Sequence, residues 1–256
     1  MYFDTHCHLN SEDLYEDHDM FIQNALDNDV TNMVVVGYDL ESSKTAIELA
    51  KQYEFIYAAV GIGPNDCKNT TKEQINIIDK YLEDPCVVAL GEIGLDYHWD
   101  VQPHEVQKYW FVKQMELAKE LDLPIAVHSR DAAKDTLDLV KDCMKGGMYG
   151  GIIHCFSYGK EMAREYLDMG LYLGIGGVVT FKNAKKLKEV VAYAPLEQLV
   201  LETDSPYLSP EPNRGKRNSS LNLPYVAEAI AQIKGCSAEE VIAVTEENAK
   251  KLLLRK

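Results

Sequence analysis

The chain has 256 residues, 46% hydrophobic and 26% charged, with a formal net charge of −15: enough apolar material for a core, and not the profile of a disordered chain. No apolar run approaches the roughly 18–20 residues a membrane helix needs, and the polar N-terminus does not fit a secretory signal, so the expected compartment is the cytoplasm. The acidic balance excludes a broad electrostatic footprint for coating nucleic acid, so a nucleic-acid substrate would depend on local cations.

In chain order, eight β-rich segments are predicted, each followed by a stretch of helical character. They are YFDTHCHL (2–9), NMVVVGY (32–38), FIYAAVGIG (55–63), VVALGEIGL (87–95), PIAVHS (124–129), GIIHCF (151–156), LYLGIGG (171–177) and QLVLETDSP (198–206). Between the fourth and fifth, Val106, Trp110, Val112, Met115, Leu117, Ala118 and Leu121 follow helical spacing within 105–122. Strands alternating with helices imply a parallel sheet, and eight repeats in about 250 residues fit a single-domain α/β (β/α)8 TIM barrel spanning 1–256. A doubly wound open sheet is the competing topology, although no GxGxxG follows the first strand. The long Pro/Gly/Ser-rich segment 205–224 falls after the eighth strand, and long loops of this kind tend to be functional. Six cysteines without CxxC spacing read as reduced thiols, with Cys7 and Cys155 packed inertly.

The chemistry gathers at the strand ends. In the first segment Asp4, His6 and His8 share a face by alternation, which lets the two imidazoles grip one ion, although an HxH pair is also met as ordinary surface or capped histidines. Four other strands end in a metal-competent residue: Glu92, His128, His154 and Asp204. In a parallel barrel these ends meet at the C-terminal face, where catalytic residues of this architecture sit. Imidazoles suit zinc and other transition metals, carboxylates suit harder ions such as magnesium or manganese, and a carboxylate can bridge two ions, so six donors point to a binuclear centre. Glu202, one step deeper than Asp204, is placed to hydrogen-bond a ligand or bound water, and Asp4 either does the same beneath His6 or is a plain buried hydrogen-bonded aspartate. Of the remaining histidines, His18 and His104 read as exposed residues and His98 as loop filler or a substrate contact.

A two-metal site activates a water and stabilises the leaving group, which is hydrolytic chemistry, with Asp204 the candidate to accept the water's proton. No serine elbow, P-loop or redox CxxC competes, and no organic cofactor is expected. The segment NRGKRN (213–218) offers Arg214, Lys216 and Arg217, and HSRD adds Arg130. Guanidinium forks match phosphate oxygens, favouring a phosphate-bearing substrate bound by Arg130, Arg214 and Arg217, against a merely solvated loop. The basic run 182–189 reads as a solvated helix face.

Together DTHCHL (4–9), GEIGLDY (91–97), LPIAVHSRDA (123–132), HCFS (154–157) and LETDSPYLSPEPNRGKRN (201–218) resemble the TatD family of metal-dependent hydrolases over essentially the whole chain. The resemblance implies a first metal on His6, His8, Glu92 and Asp204 and a second on Glu92, His128 and His154, with Glu92 bridging. It also implies magnesium-, manganese- or zinc-supported cleavage of DNA phosphodiesters, often from the 3′ end. The chain departs from the family pattern at Gly63, where many members carry a His before Pro64, at Tyr158 in place of a glycine, and at Ser219 and Ser220 in place of an acid-Pro pair. None removes a ligand; they bear on the pocket wall and on substrate preference. The expectation is a binuclear deoxyribonuclease acting on single-stranded or frayed DNA ends. The alternatives are an amidohydrolase-type enzyme for a small amide, lactone or phosphate ester, and a non-catalytic metal-stabilised scaffold.

Overall fold

A computed structural model describes residues 1–99 and 101–254. The strands are β1 (Tyr2–Cys7), β2 (Val30–Val36), β3 (Ile56–Val60), β4 (Val87–Asp96), β5 (Ile125–Arg130), β6 (Gly151–Ile153), β7 (Tyr172–Ile175) and β8 (Leu199–Leu201). They form one eight-stranded sheet in the order β1 to β8. An isolated parallel bridge from Cys7 to Ser205 links the two ends of that order. The fold is the expected (β/α)8 barrel. Its helices are α1 (Glu12–Tyr15), α2 (His18–Leu26), α3 (Leu40–Gln52), α4 (Lys72–Leu82), α5 (His104–Glu120), α6 (Ala133–Lys145), α7 (Lys160–Asp168), α8 (Lys185–Tyr193), α9 (Leu223–Lys234) and α10 (Ala238–Leu253). No helix among the described residues is long and apolar enough to cross a membrane.

The chain divides into two compact units, residues 35–154 and residues 1–34 with 155–256. In the first, β4 is buried along all ten residues, as a parallel strand covered on both sides must be. Register pairs Gly94 of β4 with His128 of β5. Gly94 has φ +146°, and a Cβ there would meet the His128 carbonyl oxygen at 1.9 Å, so only glycine permits this approach. Helices α3 and α4 start with reciprocal capping boxes, Asp39 with Ser42 and Thr71 with Gln74, which satisfy backbone donors left open at a helix start. The apolar periodicity of 105–122 correctly placed α5 but missed the residues its inner side carries. Gln107 and Gln114 are buried, two turns apart, and each clamps both backbone groups of one residue at a strand end. Gln114 bonds Ile62 N and O at 2.8 and 2.9 Å, and Gln107 bonds Asp96 N and O at 2.8 and 2.9 Å.

In the other unit, Phe3, Leu14, Ile22, Tyr166, Leu173, Val200, Ile230 and Val241 are buried. Asp4 is the buried, hydrogen-bonded aspartate of the two readings: it accepts from Thr203 N at 3.0 Å, Thr203 Oγ1 at 2.7 Å and Ser220 Oγ at 2.7 Å. Burial pushes its carboxyl up to about 6, against the pull of those hydrogen bonds. Ser220, one of the departures from the family pattern, therefore ties the start of α9 to β1. Of the basic run 182–189, Lys182, Lys185 and Lys186 are exposed, as a solvated helix face requires.

Candidate metal centre

Within residues 35–154 three metal-competent side chains come together. Glu92, His128 and His154 each offer a ligand atom within 4.8 Å of the others. The register explains it. Glu92 and Asp96 lie two residues on either side of Gly94, the residue opposite His128, so two carboxylates bracket one imidazole across the β4–β5 ladder. His128 Nδ1 stands 2.7 Å from Glu92 Oε1, and its Nε2 stands 3.0 Å from Asp96 Oδ2. An ionised carboxylate only accepts, so a ring nitrogen that faces one donates to it. Burial alone would lower the pKa of His128, but the hydrogen bonds to Asp96 and Glu92 outweigh that and hold it at about 9. His154 Nε2 lies 3.9 Å from Glu92 Oε1, and the backbone N–H of His154 donates to Val127 O at 2.9 Å.

Asp96 was not singled out from the sequence. It is almost fully buried, and besides His128 it accepts from the backbone N–H of His98 at 2.9 Å and of Trp99 at 3.3 Å. Burial would raise its pKa, but the hydrogen bond and charge of His128, with the backbone N–H groups of Trp99 and His98, outweigh that and lower it. The signal was present: Asp96 sits four residues after Glu92, on the same side of an extended strand. A carboxylate behind a ligating imidazole is the usual device for fixing its ring and tautomer.

In the other unit, His6 and His8 are both buried, with Nε2 atoms 3.2 Å apart, and His8 Nε2 lies 3.5 Å from Asp204 Oδ1. Strand β8 is shorter than predicted and ends at Leu201, and β1 ends at Cys7. His8, Glu202 and Asp204 therefore stand on turns beyond the strands, and alternation does not place them. Asp204 instead adopts a left-handed backbone, φ 55°, its N–H donating to His6 O at 2.9 Å, while His8 N donates to Ser205 O at 2.8 Å. Glu202 is fully buried; its Oε1 accepts from Cys155 N at 2.6 Å. A Cβ at Gly174 would lie 2.2 Å from Glu202 Oε2, so the glycine makes the space this carboxylate occupies. Glu202 thus braces the turn immediately after His154. Cys7 is buried with Sγ donating to Val34 O at 3.3 Å, and burial drives its thiol pKa up, in keeping with inert packing.

The three arginines are placed differently. Arg130 ends β5, its guanidinium 5.3 Å from the Trp99 ring centroid. Arg214 lies over Phe181 at 4.3 Å and 3.9 Å from Glu211 Oε1. Arg217 donates to Asp13 O at 2.8 Å and Asp17 Oδ2 at 2.9 Å over the Phe21 ring, so its fork is already engaged in bracing the post-β8 loop. His18 stacks on Tyr15, His104 on Tyr97 at 3.5 Å, and His98 Nδ1 meets Asp131 Oδ2 at 3.0 Å.

A (β/α)8 barrel with Glu92, His128 and His154 within ligating distance of one another has the donors of a metal-binding enzyme. A TatD-related DNase family model matches residues 3–254. The chain belongs to the TatD family of metal-dependent hydrolases. It is similar to the uncharacterized metal-dependent hydrolase YabD of Bacillus subtilis, 47% identical over 98% of each chain. It is also similar to the 3′-5′ ssDNA/RNA exonuclease TatD of Salmonella typhimurium, 32% identical over 98% of each. The crystal structure of the TatD homologue YJJV of Escherichia coli superposes with TM-score 0.93 at 28% identity, covering 100% of this chain and 98% of that one.

Proposed function

We propose that the chain hydrolyses DNA phosphodiesters from an end, acting on single strands or frayed termini in a 3′-exonuclease manner, with two divalent ions. Glu92, His128 and His154 would hold one ion, and His6, His8 and Asp204 would take part in holding the other. Magnesium, manganese or zinc is consistent with this mixture of imidazole and carboxylate donors. The observation that carries the reading is the three-donor set Glu92, His128 and His154, whose ligand atoms lie within 4.8 Å of one another.

When bound, such ions would acidify a water and polarise the phosphoryl group whose phosphorus that water attacks. The protein's own groups do the rest. Asp96 holds His128 by Nε2, which turns Nδ1 toward Glu92. Glu202 fixes the backbone after His154 through Cys155 N. Asp204, at the end of a backbone tied to His6, accepts the proton of the attacking water. Arg130 and Arg214, both carried on aromatic rings, supply local positive charge to an acidic chain. Positive charge confined to single residues suits a short, end-bound strand better than a long duplex. The Salmonella relative, named a 3′-5′ ssDNA/RNA exonuclease, supports the same substrate class.

Cleavage of matched single-stranded, frayed and blunt duplex DNA tests it. Shortening of the first two with the blunt interior spared is expected; preferential cutting of duplex interiors overturns it.

A further inference from the structure

We infer that Trp99, flanked by Arg130, is a stacking platform for one nucleobase of a single-stranded substrate; the inference deepens the nuclease reading above and rests on it. Trp99 is 59% exposed, an unusual position for the largest apolar side chain, on the loop between β4 and α5. Its ring carries the Arg130 guanidinium at 5.3 Å, and the His98 ring meets it edge-on at 5.1 Å. An indole surface offers every base a π-face, and an adjacent guanidinium offers the phosphate next to that base a charge-assisted donor.

The platform is braced. Asp96 Oδ1 accepts from the backbone N–H groups of His98 and Trp99. Gln107 Nε2 donates to the carbonyls of Asp96 and Gln102, and Gln102 Nε2 donates to Asn65 O at 2.6 Å. His98 is in turn held by Asp131, the residue after Arg130. The same Asp96 carboxylate that anchors the Trp99 backbone holds His128 with its other oxygen. A stacked base and the candidate metal ligand are therefore referenced to one buried group, so a base seated on Trp99 places its phosphate at a reproducible distance from His128. Exposure of an aromatic on so constrained a loop suits a ligand surface better than a loop merely left in solvent.

The test titrates the full chain in EDTA with a fluorescein-labelled dT6 and with the same hexamer made of abasic units, following anisotropy for wild type, W99A and W99F. Wild type should bind dT6 about tenfold more tightly than the abasic strand, W99A should lose most of that preference, and W99F should retain part of it. A W99A protein that keeps the wild-type preference, or a wild type that cleaves DNA with manganese yet shows no preference for bases, overturns the platform alone. A wild type that neither binds nor cleaves either strand overturns the nuclease reading and the platform with it.

Discussion

Asp96 and His128 are joined by a 3.0 Å hydrogen bond from Nε2 to Oδ2, and that contact settles which imidazole nitrogen is turned toward Glu92. Outer-shell carboxylates of this kind typically contribute 10–100-fold to metal affinity. Asp96→Asn keeps an acceptor for the His98 and Trp99 amides but removes the charge behind the ring. Metal affinity, measured by competition with a chromophoric chelator, should fall by about 10-fold or more. Affinity within twofold of wild type would show that the ring needs no such partner.

The pKa of about 9 at His128 gives a signed prediction for the metal-free chain. The folded state keeps a proton that the unfolded chain releases near 6.5. That stabilisation is fully present below pH 6.5 and is lost as pH rises through 9, a change of about 3 kcal/mol. The melting temperature of the chelated protein should fall across this window, and His128→Gln should flatten the fall. A wild-type profile that is level or rising between pH 6.5 and 9 would contradict the assignment.

Gly174→Ala drives a methyl group to 2.2 Å from the buried Glu202 carboxylate. With Glu202 fully buried, relief requires moving the brace beneath the turn after His154. A loss of about 1–3 kcal/mol in urea unfolding is expected, and Gly174→Ala with Glu202→Ala should recover part of it. Additive losses in the double variant would mean that the two residues do not compete for one space.

Asp204→Asn leaves the backbone bond to His6 in place while removing the proposed proton acceptor. Turnover should drop by about 100-fold or more, the usual scale for losing a positioned general base. Near-wild-type turnover would move that role elsewhere.

How much of this was legible in the sequence depended on the element. The βα alternation implies the barrel that the structure has, and it marks Glu92, His128 and His154, whose ligand atoms stand within 4.8 Å of one another. Alternation failed where the strands stop: β8 ends at Leu201, so Glu202 and Asp204 are set by turn geometry and a left-handed backbone that no period-two pattern encodes. Asp96 was overlooked because its importance comes from register against β5, a pairing that is invisible in one strand alone. Gln107 and Gln114 were missed for the opposite reason, since polar residues on a helix are ordinarily assigned to solvent, and only their strand-end partners make them internal. Arg217 matched a phosphate-binding pattern but is engaged with Asp13 and Asp17, contacts some two hundred residues away in sequence.

The most direct measurement adds manganese in steps to the metal-free chain and follows a 5′-labelled single-stranded oligonucleotide on a sequencing gel. The account predicts a ladder receding from the 3′ end, saturating at two equivalents of metal per chain, and abolished by EDTA or by His154→Ala. An intact oligonucleotide at full metal occupancy, or cleavage that persists in EDTA, would contradict it.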